Sequence, residues 1–250
     1  MDYCVVICSH KRIDTLKKKS LAVLQHYGIP VEKIFIFVAP EEVPAYKSAF
    51  PSYHVIPGAL GLANNRNAVT AFFPPDKPLF CMDDDIKGYY VSRENKIKLL
   101  DNLDMFIRRG FEEAHQAGAS LWGIFPVKNA KWMKNTITKG LTFCYGCTYG
   151  LFNKKDVQIL YDLKEDFERC LKFYTRDKMI IRLNWVSPGQ SYGKGSGGLS
   201  DVRSLDKEKQ DCEKLLALYP DLVTTKYRAD GTRYDLSFRR TLYKAYPTEV

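Results

Sequence analysis

The sequence predicts an α/β fold built on a mostly parallel central sheet flanked by helices, with a mixed or antiparallel extension in its second half. Three observations predict it. Short apolar runs of strand length recur through the first 90 residues, helical patterns separate them, and beyond residue 120 strand-like runs are interrupted by small residues instead.

Tyr3 to Cys8 reads as a buried strand, followed by a turn at Ser9-His10-Lys11-Arg12 and a helix with apolar positions Leu16, Leu21, Val23 and Leu24. Gly28-Ile29-Pro30 breaks that helix. Lys33 to Val38 is a second strand, Glu41 to Ala49 a short helix, and Tyr53 to Ile56 a third strand. A helix then runs from about Leu62 to Phe73, where Pro74-Pro75 stops it before the strand Leu79 to Met82. In the second half, Leu99 to Ala117 reads as a helix, Ser120 to Phe125 as a strand, and Leu141 to Phe152 as strands separated by small residues. Asp156 to Leu163, Asp166 to Arg176 and Ser204 to Tyr219 read as helices, and a basic tail follows. Gly189 to Gly198 holds too many glycines for regular structure and reads as a loop, one that could order over a bound diphosphate with Lys194 supplying charge.

At 250 residues the chain can bury a full core as one domain, with halves at 1–90 and 91–250, and nothing suggests disorder or an internal repeat. The apolar run near the start is too short for a signal peptide or membrane span, so a soluble, cytoplasmic protein is expected, with no membrane and no obligate protein partner. Seven dispersed cysteines fit reduced thiols. Cys144-x-x-Cys147 lacks a second pair or a nearby histidine, so strand packing is expected there rather than zinc. The formal charge of +9 favours polyanionic partners such as nucleic acid or nucleotide phosphates. Lysines and arginines cluster at Lys11-Arg12 and Lys17-Lys18-Lys19, at Lys128 to Lys139 and around Arg228 to Lys244, among aromatic residues. That mixture suits phosphate contact with base stacking, and it equally describes a solvated basic surface over packed rings.

The most informative segment is Leu79 to Ile86, where a buried strand ends in Asp83-Asp84-Asp85. Three adjacent carboxylates repel one another, and a hard divalent ion relieves that repulsion; a solvated acidic turn is the plainer alternative. In extended backbone Asp83 and Asp85 share a face and Asp84 takes the other, so the metal ligands expected are Asp83 and Asp85. The same Asp-x-Asp spacing holds Mg²⁺ or Mn²⁺ against a nucleotide-sugar diphosphate in many glycosyltransferases of the GT-A fold. For such chemistry Ser9 and Arg12, at the end of the first strand, are candidates to contact the nucleotide, and Ser9 is also a natural helix cap. The glycine- and asparagine-rich run Gly58 to Ala68 could contact a base edge or a diphosphate, or form an ordinary turn and cap. Glu165 and Asp166 are the candidate bases for an acceptor hydroxyl, Asp166 first, although acidic residues also suit a helix start for electrostatic reasons alone.

Taken in order, Ser9-His10-Lys11-Arg12, Gly61 to Asn67, Asp83-Asp84-Asp85, Tyr145 to Gly150 and Glu165-Asp166-Phe167-Glu168 resemble the TET/JBP-associated glycosyltransferases, a family that includes the base J glucosyltransferase and phage relatives. The resemblance runs from about Val5 to Gly198 and rests on the order of short motifs. It implies a GT-A fold, a UDP-sugar donor, Mn²⁺ or Mg²⁺, and inverting transfer of a hexose, glucose in the first instance, to a hydroxymethylated pyrimidine in DNA. It implies a metal motif at Asp83 and Asp85, donor contacts from Arg66 and Asn67 with Asp84 beside them, and a catalytic acidic pair at Glu165-Asp166. It also implies a nucleotide-binding first half and an acceptor-binding second half, and a host cytoplasmic location for a phage protein. Many GT-A enzymes add a C-terminal histidine to the metal; here no histidine follows His115. A transferase acting on protein or glycan, a nucleotidyltransferase and a non-catalytic nucleic-acid-binding module are the alternatives.

Overall fold

Neighbouring residues of the first strand bury into opposite cores, which is what a sheet covered on both faces requires. Val5 and Ile7 join one apolar cluster and Val6 the other; in the strand ending at Asp83, Phe80 and Met82 divide from Leu79 and Cys81 in the same way. The computed structural model describes residues 1–93, 95–190, 204–227 and 234–249. Its strands are β1 (Cys4–Cys8), β2 (Ile34–Val38), β3 (His54–Pro57), β4 (Pro78–Asp83), β5 (Gly88–Arg93), β6 (Lys96–Leu99), β7 (Leu121–Ile124), β8 (Thr136–Gly140), β9 (Thr148–Phe152), β10 (Ile180–Leu183), β11 (Val186–Gly189), β12 (Val223–Tyr227), β13 (Tyr234–Phe238) and β14 (Tyr243–Pro247). The helices are α1 (Ile13–Leu16), which continues through a π-helical turn at Lys17–Leu21 into α2 (Ala22–His26), then α3 (Val43–Ala49), α4 (Leu62–Phe72), α5 (Leu103–Gln116), α6 (Glu165–Asp177) and α7 (Leu205–Leu218).

Nine strands form the main sheet in the order β14-β8-β10-β7-β9-β4-β1-β2-β3. Pairings β1–β2, β2–β3, β1–β4 and β7–β10 are parallel, and only β8 and β9 run against the rest. The carboxyl ends of β1, β4 and β7 therefore lie on one edge, where ligands of open α/β sheets bind. A second, three-stranded sheet, β11-β5-β6, follows from the end of β4, and β12 pairs with β13 as a hairpin. Among the described residues no helix is long and apolar enough to cross a membrane.

Helix ends follow local chemistry. Asn102 accepts from Met105 N at 2.9 Å and Ser204 from Lys207 N at 3.2 Å, capping α5 and α7. Glu165, Asp166 and Glu168 occupy the first turn of α6, and Lys178 ends it in the left-handed conformation. The Trp122 ring fills the core between α5 and β9. A Cβ on Gly110 would come within 2.5 Å of Trp122 Cη2, and one on Gly150 within 2.1 Å of Nε1. Gly150→Ala is therefore expected to destabilise the fold by about 1–3 kcal/mol through overpacking, measured as a lower urea midpoint with unchanged slope.

Several expectations need correction. Residues 156–163 are not helical: the Asn67 side chain bonds both backbone groups of Ile159 at 2.7 Å, and Glu168 Oε2 accepts from Leu160 N and Tyr161 N at 2.8 and 3.0 Å. The helix expected from Leu99 starts at Leu103, because Lys96–Leu99 pairs with β5. Within 141–152 only Thr148–Phe152 is a strand, and Thr136–Gly140 is an unforeseen one. The basic tail is not a tail, since β14 closes one edge of the main sheet against β8.

Candidate active site

The turn after β4 is built largely from side chains of other elements. Ser20, fully buried in the π-helical turn, donates to Asp83 O at 2.6 Å and accepts from Ile86 N at 3.0 Å, so the widened helical turn holds the acidic segment from behind. Asp83 N donates to Cys147 O at 2.9 Å, fixing the segment Tyr145-Gly146-Cys147 alongside it.

The three aspartates separate, although not by strand alternation as expected: β4 ends at Asp83, and Asp84-Asp85 form a turn. Asp84, 4% exposed, accepts from Ser9 Oγ at 2.7 Å and pairs with Arg12 at 3.2 Å. Burial raises its pKa, and the Ser9 bond and the Arg12 charge oppose the rise. Ser9 and Arg12 are tied down in turn by Tyr46, whose hydroxyl lies 2.9 Å from Ser9 Oγ and accepts from Arg12 N at 3.0 Å. Glu42 clamps the intervening turn, accepting from Lys11 N at 2.6 Å and lying 2.7 Å from His10 Nδ1, while Lys11 has a φ of 54°. Ser9, Arg12 and Asp84 thus form one structural unit.

Asp83 and Asp85 turn the other way and converge. Asp83 Oδ2 and Asp85 Oδ1 accept from the same atom, Gln190 Nε2, at 3.2 and 3.0 Å. Burial pushes the Asp83 carboxyl up to about 7; Arg66 opposes this, and the charges of Asp85, Asp84 and Glu165 add to it. Two carboxylates aimed at one point suit a hard divalent cation, so the residues present fit such an ion, with Asp83 and Asp85 as its carboxylate ligands. Among the described residues no third His, Cys, Asp or Glu joins them.

Beneath this edge lies a buried ionic cluster. Arg66 donates to Asp83 Oδ1 at 3.2 Å and Gly146 O at 3.4 Å. Arg169 pairs with Glu165 one helical turn away and packs 3.6 Å from the centre of the Tyr149 ring, with Arg66 at 5.4 Å from the same ring. Gly146 has no room for a side chain: a Cβ there would sit 2.5 Å from Glu165 Oε1 and 3.4 Å from Asp166 Cβ. The acidic start of α6 therefore faces the acidic end of β4 across Gly146 and Cys147. Burial, then the charges of Asp83, Asp85 and Asp166, raise the Cys147 thiol far above its ordinary range.

Glu165 and Asp166 differ sharply. Glu165 is 5% exposed and committed to Arg169. Asp166 forms no ion pair with the described residues; its Oδ1 accepts from Phe167 N at 2.9 Å, and burial followed by the Glu165 charge pushes its pKa up to about 6. A carboxylate near pKa 6 is suited to accept a proton at neutral pH.

The structure thus brings Asp83, Asp85, Arg66, Glu165 and Asp166 together. Asn67, expected at the donor, instead latches residue 159, and Lys194 and the glycine-rich loop from Ser191 lie outside the described residues. Ser20 and Arg169 escaped the sequence reading, and Gln190 entered it only as a member of the loop Gly189 to Gly198, with no role of its own. Arg169 had a signal, four residues after Glu165 on a helix; Ser20 had none. Cys144 and Cys147 are free, buried thiols, Cys144 Sγ lying where a Cβ on Gly123 would be only 2.6 Å away.

This architecture is the GT-A fold, a parallel-dominated sheet with an acidic strand end at its ligand-binding edge. It matches residues 1–349 of TarS from S. aureus, crystallised with UDP, at a TM-score of 0.54 and 11% identity over 86% of this chain and 66% of that one. It also matches glucosyl-3-phosphoglycerate synthase from Mycobacterium tuberculosis, solved with Mn²⁺, UDP-glucose and phosphoglyceric acid, at 0.53 and 10% identity over 99% of this chain and 87% of that one. The chain spans just under two thirds of the TarS fragment's length. No family model and no curated protein matches the sequence.

Proposed function

We propose that this protein is a metal-dependent, inverting glycosyltransferase that takes a hexose, glucose in the first instance, from a UDP-sugar. The observation that carries the reading is the convergence of Asp83 and Asp85 on one point, with the raised-pKa carboxylate of Asp166 across Gly146 and Cys147. UDP in one structural neighbour and Mn²⁺ with UDP-glucose in the other support the donor and ion classes. A divalent cation between Asp83 and Asp85 would offset the charge of the departing diphosphate. Asp166 removes the acceptor proton, Glu165 and Arg169 hold the start of α6, and Arg66 fixes Asp83.

The acceptor in this reading is a hydroxymethylated pyrimidine in DNA. Its support lies on the same sheet edge: β7 ends two strands from β4, about 10 Å along the sheet, and continues into the segment Phe125 to Asn135. There Trp132 is 59% exposed with Lys131 5.4 Å from its ring centre, and Lys128 lies 4.0 Å from that of Tyr90. An exposed ring and a half-buried one, each beside a cation, suit bases and phosphates. Trp132→Ala is expected to weaken binding of hydroxymethylated DNA by about 1–3 kcal/mol while leaving UDP affinity unchanged, measured by fluorescence anisotropy and calorimetry. Incubation with Mn²⁺ and radiolabelled UDP-sugars, with and without hydroxymethylated DNA, tests the whole reading. Label in DNA supports it, UDP-sugar hydrolysis alone keeps the transferase and removes the DNA acceptor, and no turnover of any UDP-sugar overturns both.

A further inference from the structure

Gln190 has two features that the roles above do not use. Its Nε2 occupies the point on which Asp83 and Asp85 converge, while its Oε1 is buried without a hydrogen-bond partner among the described residues. A carboxamide carries an acceptor as well as donors, and a buried acceptor left unpaired is unfavourable. The position is also well determined. Gly189 pairs with Gly88 at the end of β11, Lys87 N donates to Gly189 O at 2.7 Å, and a Cβ on Gly189 would come within 2.6 Å of the Tyr90 ring. The chain is thereby delivered to the acidic turn 105 residues beyond Asp85.

We propose that Gln190 is the third protein ligand of the divalent-cation site, coordinating through Oε1. The assignment rests on the reading of Asp83 and Asp85 as carboxylate ligands. A half-turn of the terminal amide exchanges Nε2 for Oε1 at nearly constant shape, because the group is planar and its two ends are similar in size. The amide N–H bonds hold the two carboxylates together in ion-free solution. A cation between the carboxylates repels the amide hydrogens and attracts the carbonyl oxygen, so the same side chain closes the site in both conditions. Two carboxylates already balance a divalent charge, and a neutral oxygen adds coordination without adding charge. It also sets selectivity: carboxylate and carbonyl oxygens suit Mg²⁺ and Mn²⁺, whereas an imidazole at this position would suit Zn²⁺.

The test is Mn²⁺ affinity of the full chain, read by electron paramagnetic resonance of the free ion, for wild type, Gln190→Leu, Gln190→Glu, Gln190→His and Asp85→Ala. Gln190→Leu, close in shape but without the oxygen, is expected to weaken Mn²⁺ binding by about 10-fold or more, Gln190→Glu to bind at least as tightly as wild type, and Gln190→His to shift preference towards Zn²⁺. In Mg²⁺ titrations the Gln190 side-chain NH₂ resonance, assigned by its loss in Gln190→Leu, should move as its hydrogen bonds to the carboxylates break. Wild-type Mn²⁺ affinity in Gln190→Leu, with binding lost in Asp85→Ala, overturns the role of Gln190 alone. Absence of Mn²⁺ binding in the wild type overturns it together with the metal reading.

Discussion

Asp85→Ala is expected to reduce sugar transfer below detection and to remove the dependence of UDP binding on a divalent ion. Asp85 shares a focus with Asp83 and lacks the Arg66 contact that anchors Asp83, so its loss takes away a carboxylate oxygen and a negative charge at that focus. Asp84 supplies the control. Its side chain points into Ser9 and Arg12, so Asp84→Ala should retain transfer while lowering stability by about 1–3 kcal/mol, the cost of leaving buried partners unsatisfied. Calorimetric titration of UDP with Mn²⁺ and with EDTA, beside transfer assays, separates the two variants. Full activity in EDTA, or an Asp85→Ala enzyme that still turns over, is incompatible with this site.

Asp166→Asn is expected to lower transfer by about two to four orders of magnitude with little change in UDP-sugar affinity, because it preserves shape and removes the base. The pH profile carries a second signature. The base acts as the carboxylate, and its pKa is raised to about 6 by burial and then by Glu165. At saturating Mn²⁺, where the cation would hold Asp83 ionised, most molecules have Asp166 ionised at pH 7, and below pH 6 kcat/KM should fall about tenfold per unit. Glu165→Gln removes the neighbouring negative charge and releases the charge of Arg169, so both effects move this acid limb to lower pH. It should also cost about 3–5 kcal/mol of stability, since Arg169 would remain buried without its anion. A product that keeps the donor's anomeric configuration, or an Asp166→Asn enzyme with wild-type rate, removes Asp166 from this role.

Much of the first half was legible because its signals are local. The split of Val5 and Ile7 from Val6 needs only strand periodicity, and Pro74-Pro75 can only end α4; Asp83 and Asp85 do converge, but through a turn at Asp84-Asp85 and not through the extended chain the pattern suggested. The acidic start of α6 was equally readable from composition at a helix N-terminus. Local pattern failed where a distant partner outbid it. Lys96 to Leu99 alternates and pairs with β5 instead of opening α5, and 156–163 gives its backbone bonds to Asn67 and Glu168 instead of to a helix of its own.

The sequence alone therefore determined the fold class, the acidic end of β4 and the acidic start of α6. Only the tertiary structure separated Glu165, held by Arg169, from Asp166, and bound Asp84 into the Ser9 and Arg12 unit away from the point where Asp83 and Asp85 converge. Only it brought Gln190 to Asp83 across 107 residues and set Ser20 behind the acidic turn. The physical reason is the same in each case: a periodic pattern records which face of a segment is apolar, whereas the partner of a polar side chain is fixed by strand order and register, and no residue near it in the chain carries that information.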